Sequence, residues 1–269
     1  MTEGEPRENR VVRARRRARR TEDETLLQAA FTQTDPWRVL RIMGEFVAGF
    51  EELAELGPAV TIFGSARVGE EDPRYGEAVE VGRLLGEAGF TIITGGGPGI
   101  MEAGNRGARE VGAPSVGLNI ELPFEQHVNP YVDISLDFRY FFVRKMMLVK
   151  YSQAFIIFPG GFGTLDELFE ALTLIQTGKV HDFPVVLFGS EYWRGLLNWL
   201  AGPMLSGGKI SRADLDLLVM TDSPAEVRDE ILASAEGGSP ETGNEERARE
   251  ATRKALGRDD HRPPRPEDT

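Results

Sequence analysis

Short apolar runs alternate with amphipathic stretches along the middle of the chain. Ala59–Phe63 is one such run, long enough for a buried strand and too short for a buried helix. Comparable runs stand at 90–94, 114–119, 132–136, 154–158, 184–188 and near 216–220. Between them, apolar residues recur at three- and four-residue spacing, which predicts helices at about 74–88, 99–111, 139–151, 164–177, 191–202 and from Pro224. A further helix over 37–56 precedes the first strand. Asp35 offers a cap, Pro36 a first-turn proline, and Val39, Met43, Phe46, Val47, Phe50 and Leu53 follow at helical spacing. Strands that alternate with helices form βαβ units. The fold class is therefore α/β: a Rossmann-like three-layer sandwich with a mainly parallel sheet and helices on both faces.

The two ends break this pattern. Residues 1–34 form an Arg-rich arm with the cluster Arg13, Arg15, Arg16, Arg17, Arg19 and Arg20, and read as a solvated, disordered segment rather than a nucleic-acid or membrane contact. Residues 236–269 are rich in Gly, Pro and charge and read as a disordered tail. This leaves 35–235 as a single Rossmann-like domain.

Charge narrows the partners. Residues 1–30 carry eight Arg against six acids, whereas 31–235 carry 16 basic against 28 acidic residues. So acidic a body offers no broad surface to nucleic acid, and an anion must be bound in a local pocket. The chain has no cysteine and three histidines, which excludes disulfides, thiolate metal sites and a cysteine nucleophile. The lack of cysteine also fits a reducing cytoplasm, and so few histidines make His-rich metal chemistry unexpected. No apolar run approaches the roughly 18 residues of a membrane helix, and no secretory leader follows the basic start.

In parallel sheets, ligands bind beyond the carboxyl ends of the strands, where strand order reverses. Three loops after predicted strands hold the informative residues. In the first, Gly64 allows a sharp turn, and Ser65 with its neighbouring N–H groups can hydrogen-bond an anion. In the second, Gly95, Gly96 and Gly97 precede a helix start and let backbone approach a ligand. The glycine spacing is neither that of a dinucleotide fingerprint nor that of a Walker A loop. Glu102, in the first turn of that helix, either meets ligand hydroxyls or complements the helix dipole. The third loop, Pro159, Gly160, Gly161, Phe162, Gly163 and Thr164, again opens a helix and has the parts of a phosphate cradle: backbone donors, a small hydroxyl and a helix dipole. Glu167 lies one turn further on, where a carboxylate would meet a sugar rather than its phosphate. Upstream, Arg144 and Lys145 interrupt an apolar helix, and such charges need a partner: Glu167, Asp166 or a ligand anion. The aromatic stripe Phe138, Tyr140, Phe141 and Phe142 reads as core packing.

The run from Pro159 to Glu167, P-G-G-F-G-T-L-D-E, resembles the P-G-G-x-G-T-x-x-E motif of the Lonely Guy family, the cytokinin riboside 5′-monophosphate phosphoribohydrolases often mislabelled as lysine decarboxylases. Arg144-Lys145-Met146 and the glycine loop 95–101 resemble that family's other two elements, and the likeness covers about 59–205. The chain departs from the short plant-type form in its long tails, its helix at 37–56 and the segment 118–126, which looks like a longer bacterial subgroup. The resemblance implies cleavage of a nucleoside 5′-monophosphate to free base and ribose 5-phosphate, without metal or cofactor, by a homodimer or higher oligomer. By the same match Glu167 and Arg144 are the catalytic residues, and Gly64, Ser65, Gly95, Gly96, Gly97, Glu102, Lys145, Pro159, Gly160, Gly161, Gly163 and Thr164 bind substrate. The preferred base stays open between a cytokinin and AMP. A competing reading is a non-enzymatic carrier of a nucleotide-like ligand, as in molybdenum-cofactor carriers. A lysine decarboxylase is disfavoured, because that chemistry needs pyridoxal phosphate on a lysine in a far larger fold.

Overall fold

The computed structural model of the chain describes residues 37–122 and 127–237. The arm 1–34, the cap at Asp35-Pro36 and the chain from 238 onward lie outside the described residues. In chain order the elements are α1 (Trp37–Glu52), β1 (Ala59–Phe63), α2 (Pro73–Glu87), β2 (Thr91–Thr94), α3 (Ile100–Glu110), β3 (Ser115–Ile120), β4 (Ile134–Phe138), α4 (Phe141–Lys150), β5 (Phe155–Ile157), α5 (Phe162–Gln176), β6 (Val185–Phe188), α6 (Ser190–Trp199), α7 (Arg212–Leu215), β7 (Leu218–Thr221) and α8 (Pro224–Gly237). The last helix runs two residues past the boundary expected at 235.

The seven strands form one sheet in the order β4-β3-β2-β1-β5-β6-β7, and every pairing is parallel. Both faces are covered, so β1, β2, β3, β5 and β6 are buried at every position, which is why they read as continuous apolar runs. Helices α1, α4, α5 and α6 line one face, where Leu53, Met147, Leu168 and Trp193 pack with Phe63, Phe155 and Leu187. Helices α2, α3 and α8 line the other, where Val81, Leu85, Ala103 and Val227 pack with Ile62, Ile92 and Ile156. This is the three-layer sandwich expected from the pattern. α2 and α3 approach closely because Gly107 has no side chain: a Cβ there would lie 2.0 Å from the Val79 carbonyl oxygen.

Two details differ from the pattern. The helix expected to run to 202 gives way at Leu200–Met204 to a π-helical turn containing Pro203, which has no N–H to continue the regular ladder. The four-residue α7, closed by a Ser211–Asp214 capping box, is too short to show a helical period.

Strand order reverses at β1. The chain moves from β1 outward through β2, β3 and β4, then returns to β5 on β1's other side. The crevice beyond the carboxyl ends of β1 and β5 is the switch point at which this architecture binds ligands.

Candidate active site

All three glycine loops meet at this crevice, braced through one residue. The Ser65 N–H donates to the Pro159 carbonyl (3.0 Å), and the Ser65 carbonyl accepts from the Ile100 N–H (3.1 Å). Ser65 thus ties the β1 loop to the loops after β5 and β2, while its hydroxyl accepts locally from the Arg67 N–H (3.1 Å). Gly64 is required by crowding, since a Cβ there would lie 2.5 Å from the Ile100 side chain.

The β2 loop is held from behind by a buried amide network. Asn129 Nδ2 donates to the carbonyls of Gly96 (3.2 Å) and Gly97 (3.1 Å) and to Asn105 Oδ1 (2.9 Å). Asn105 in turn donates to Ser115 Oγ and accepts from Thr94 Oγ1, whose oxygen also accepts the Gly96 N–H. Gly95 adjoins Arg144: a Cβ at Gly95 would lie 3.7 Å from Arg144 Nη1.

The β5 loop runs into α5. Gly161 caps that helix with no side chain, so the first-turn N–H groups of Phe162, Gly163 and Thr164 are left to an external acceptor, at the positive end of the helix dipole. Gly161 and Gly163 face open space, whereas a Cβ on Gly160 would lie 2.1 Å from Thr164 Oγ1. These are the features of an anion cradle.

Beside it lies a buried ion pair. Arg144 Nη2 stands 3.3 Å from Glu167 Oε1, with the side chains 14% and 3% exposed. Burial dominates both groups. It pushes Glu167 up to about 7, against the opposing pull of the Arg144 and Lys145 charges, and it lowers the Arg144 guanidinium even beside Glu167. Glu167 Oε2 and Arg144 Nε are buried with no hydrogen-bond partner. A buried carboxylate oxygen and a buried guanidinium N–H without partners are costly in a fold, and both are available to a ligand.

The other expected residues divide. Lys145 pairs with Asp166 (3.0 Å) and Glu170 (2.6 Å) rather than standing free for an anion, so of the partners weighed for it a neighbouring carboxylate is the one found. Glu102 is part-committed: it accepts from the Tyr75 hydroxyl at 2.9 Å, and burial together with this carboxylate pushes Tyr75 up to about 12. The aromatic stripe also splits. Phe138 and Tyr140 are core, as expected, but Phe141 and Phe142 are exposed, because α4 turns that side away from the sheet. Asn129 carried no signal of its own, being 33 residues from the loop it holds. Among the described residues no three His, Asp or Glu side chains gather as a metal site requires, and no helix is long and apolar enough to cross a membrane.

Comparison with known proteins follows the same outline. The family profile described as "Possible lysine decarboxylase" matches residues 101–231. The cytokinin riboside 5′-monophosphate phosphoribohydrolase of Mycobacterium tuberculosis is 35% identical over 161 residues, which span 59% of this chain and 83% of that protein. A probable enzyme of the same name from Oryza sativa subsp. japonica is 29% identical over 185 residues, 66% of this chain and 79% of the relative. Among solved structures, the molybdenum cofactor binding protein from Rippkaea orientalis superposes with a TM-score of 0.50 at 22% identity, covering 66% of this chain and 98% of that one. At that identity the likeness concerns the fold alone.

Proposed function

The chain belongs to the family of cytokinin riboside 5′-monophosphate phosphoribohydrolases, and from that premise we propose that it hydrolyses nucleoside 5′-monophosphates, AMP or a cytokinin riboside 5′-monophosphate, to free base and ribose 5-phosphate. It is a hydrolase of nucleotide N-glycosidic bonds. The observation that carries the reading is the buried Arg144–Glu167 pair, with an unpartnered atom on each side chain, next to the uncapped start of α5.

The cradle of Gly160, Gly161, Gly163 and Thr164 takes the 5′-phosphate, and Gly64, Ser65, Gly95, Gly96 and Gly97 line the rest of the crevice. Pro159 sets the entry to the cradle, Lys145 keeps α5 in place through Asp166 and Glu170, and Glu102 meets the ribose hydroxyls. Phosphate binding then fixes the glycosidic bond against Glu167. As the bond between the anomeric carbon and the base nitrogen breaks, positive charge grows on the sugar, and the Glu167 carboxylate stabilises it and orients the attacking water. Water oxygen bonds to the anomeric carbon, its proton passes to Glu167, and from there to the departing base. A carboxyl near neutrality suits both halves of that transfer. Arg144 is no proton donor. It stabilises negative charge developing on the base and holds Glu167 in place.

The test is a screen of nucleoside 5′-monophosphates for release of free base and ribose 5-phosphate. Glu167→Ala and Glu167→Gln are expected to lower turnover by roughly 10²–10⁴ while nucleotide binding survives. Near wild-type release by either variant removes Glu167 from the mechanism. A carrier of a nucleotide-like ligand needs no such buried pair; tight binding of every nucleotide tried, with no product, would favour it. We also propose a homodimer or higher oligomer, supported by the apolar side chains that α1 and α4 leave exposed.

A further inference from the structure

We propose that Tyr192, on α6, is a positioning residue for the phosphate cradle. Its hydroxyl donates to the Gly160 carbonyl at 2.6 Å. In a trans peptide the C=O and the following N–H point in opposite directions, so a group that fixes the Gly160 oxygen also fixes the Gly161 N–H. The preceding peptide is held in the same way, because the Pro159 carbonyl accepts from the Ser65 N–H at 3.0 Å. Two successive peptides of a loop built for conformational freedom are thereby locked, with both carbonyls engaged by protein donors. This matters at Gly160 and Gly161, where no side chain restricts the backbone and the entropy of an unbound loop is greatest. An oxygen that swung into the cradle would repel a phosphate; one that is hydrogen-bonded away from it leaves only donors to face the anion.

Tyr192 is itself well placed to act as an anchor. Its ring stands edge-on against Trp193, with centroids 4.9 Å apart, and Trp193 is buried with its indole N–H donating to the Phe188 carbonyl (3.0 Å). The Tyr192 N–H donates to the Gly189 carbonyl, and Gly189 packs against Pro159: a Cβ there would lie 3.3 Å from the proline ring. The start of α6 is thus a rigid back wall for the loop after β5. Tyr192 is also 47% exposed, so in its absence water can satisfy the Gly160 carbonyl. The hydroxyl contributes to the order of the loop and little to the stability of the fold.

The inference rests on the reading that 160–164 binds the 5′-phosphate, and the experiment separates the two. Dissociation constants for ribose 5-phosphate are measured by calorimetry on the wild type, Tyr192→Phe and Thr164→Val, alongside their unfolding temperatures. Tyr192→Phe is expected to weaken binding about fivefold, the scale of one neutral hydrogen bond, with an unchanged unfolding temperature. Thr164→Val is expected to weaken it at least as much. If Thr164→Val loses affinity and Tyr192→Phe does not, the cradle stands and the role of Tyr192 falls. If the wild type fails to bind ribose 5-phosphate, the cradle falls and the inference with it. A drop in unfolding temperature for Tyr192→Phe with unchanged affinity would make the contact purely structural and overturn the proposal.

Discussion

Burial holds the Glu167 carboxyl near 7, whereas the same group in an unfolded chain titrates near 4.5. Between those values the folded protein binds a proton that the unfolded chain has released. The stability this group contributes is therefore complete below about 4.5 and is lost as pH rises through about 7, a loss of about 3 kcal/mol at most. Activity should run the other way, because the proposed mechanism uses the carboxylate: turnover should climb with pH through about 7 and level off above it. Glu167→Gln removes the titration. Its stability relative to wild type should rise from about pH 5 to about pH 7 and level off above that, even as turnover collapses. Urea unfolding of both proteins across that range checks the point, and parallel stability curves would show that Glu167 does not titrate where burial places it.

At the scale of elements, the two kinds of glycine around the crevice make opposite predictions. Gly99 sits at φ +72°, and a Cβ there would lie 2.4 Å from the Ser65 carbonyl that Ile100 uses to join two loops. Gly99→Ala should cost about 2 kcal/mol or more and loosen the crevice. Gly163 lies in the first turn of α5 and faces open space, so Gly163→Ala should leave stability intact or slightly raised. Its methyl would intrude into the proposed phosphate cradle, so ribose 5-phosphate binding should fall at least tenfold. Equal losses of stability in the two variants would contradict this division. The strands and loops were legible in the sequence because each has a local cause: a strand covered on both faces is an apolar run, and a strand-to-helix turn that presents N–H groups is rich in glycine. What was illegible is non-local. Asn129 reaches the Gly96 carbonyl across 33 residues and Tyr192 reaches Gly160 across 32, and neither residue type announces such a bond. The sequence left the partner of Lys145 open between Glu167, Asp166 and a ligand anion, because its pairing with Asp166 and Glu170 depends on how α4 crosses α5, which no spacing along the chain reveals.

The whole molecule presents one surface that a lone, strongly acidic chain does not explain. Trp37, Val39, Leu40, Met43 and Val47 are more than half exposed on α1, and Phe141, Phe142 and Met146 extend the apolar character onto α4. The two helices are joined: the Glu45 carboxylate accepts from the backbone N–H groups of Arg139 and Tyr140 at the start of α4, and Phe46 packs against Phe142. Contiguous apolar surface of this kind marks an interface, and a second copy is the partner proposed for it. Because the contact would be apolar, association should persist at high salt, where attraction between exposed charges is screened. Met43→Glu with Val47→Glu should yield a folded monomer by sedimentation, since both side chains point away from the sheet. Phe141 stacks under the Arg144 guanidinium, 5.4 Å from ring centre to Cζ, so the outer wall of the proposed catalytic pair is part of the same surface. A partner on that wall would bury the Arg144 guanidinium, 14% exposed in the single chain, still further, whereas Glu167 is only 3% exposed without any partner and should keep its carboxyl near 7 in the monomer. The monomer's pH profile should therefore keep its rise through about 7, and a profile shifted to lower pH would show that the Arg144–Glu167 pair is enclosed only with the partner in place.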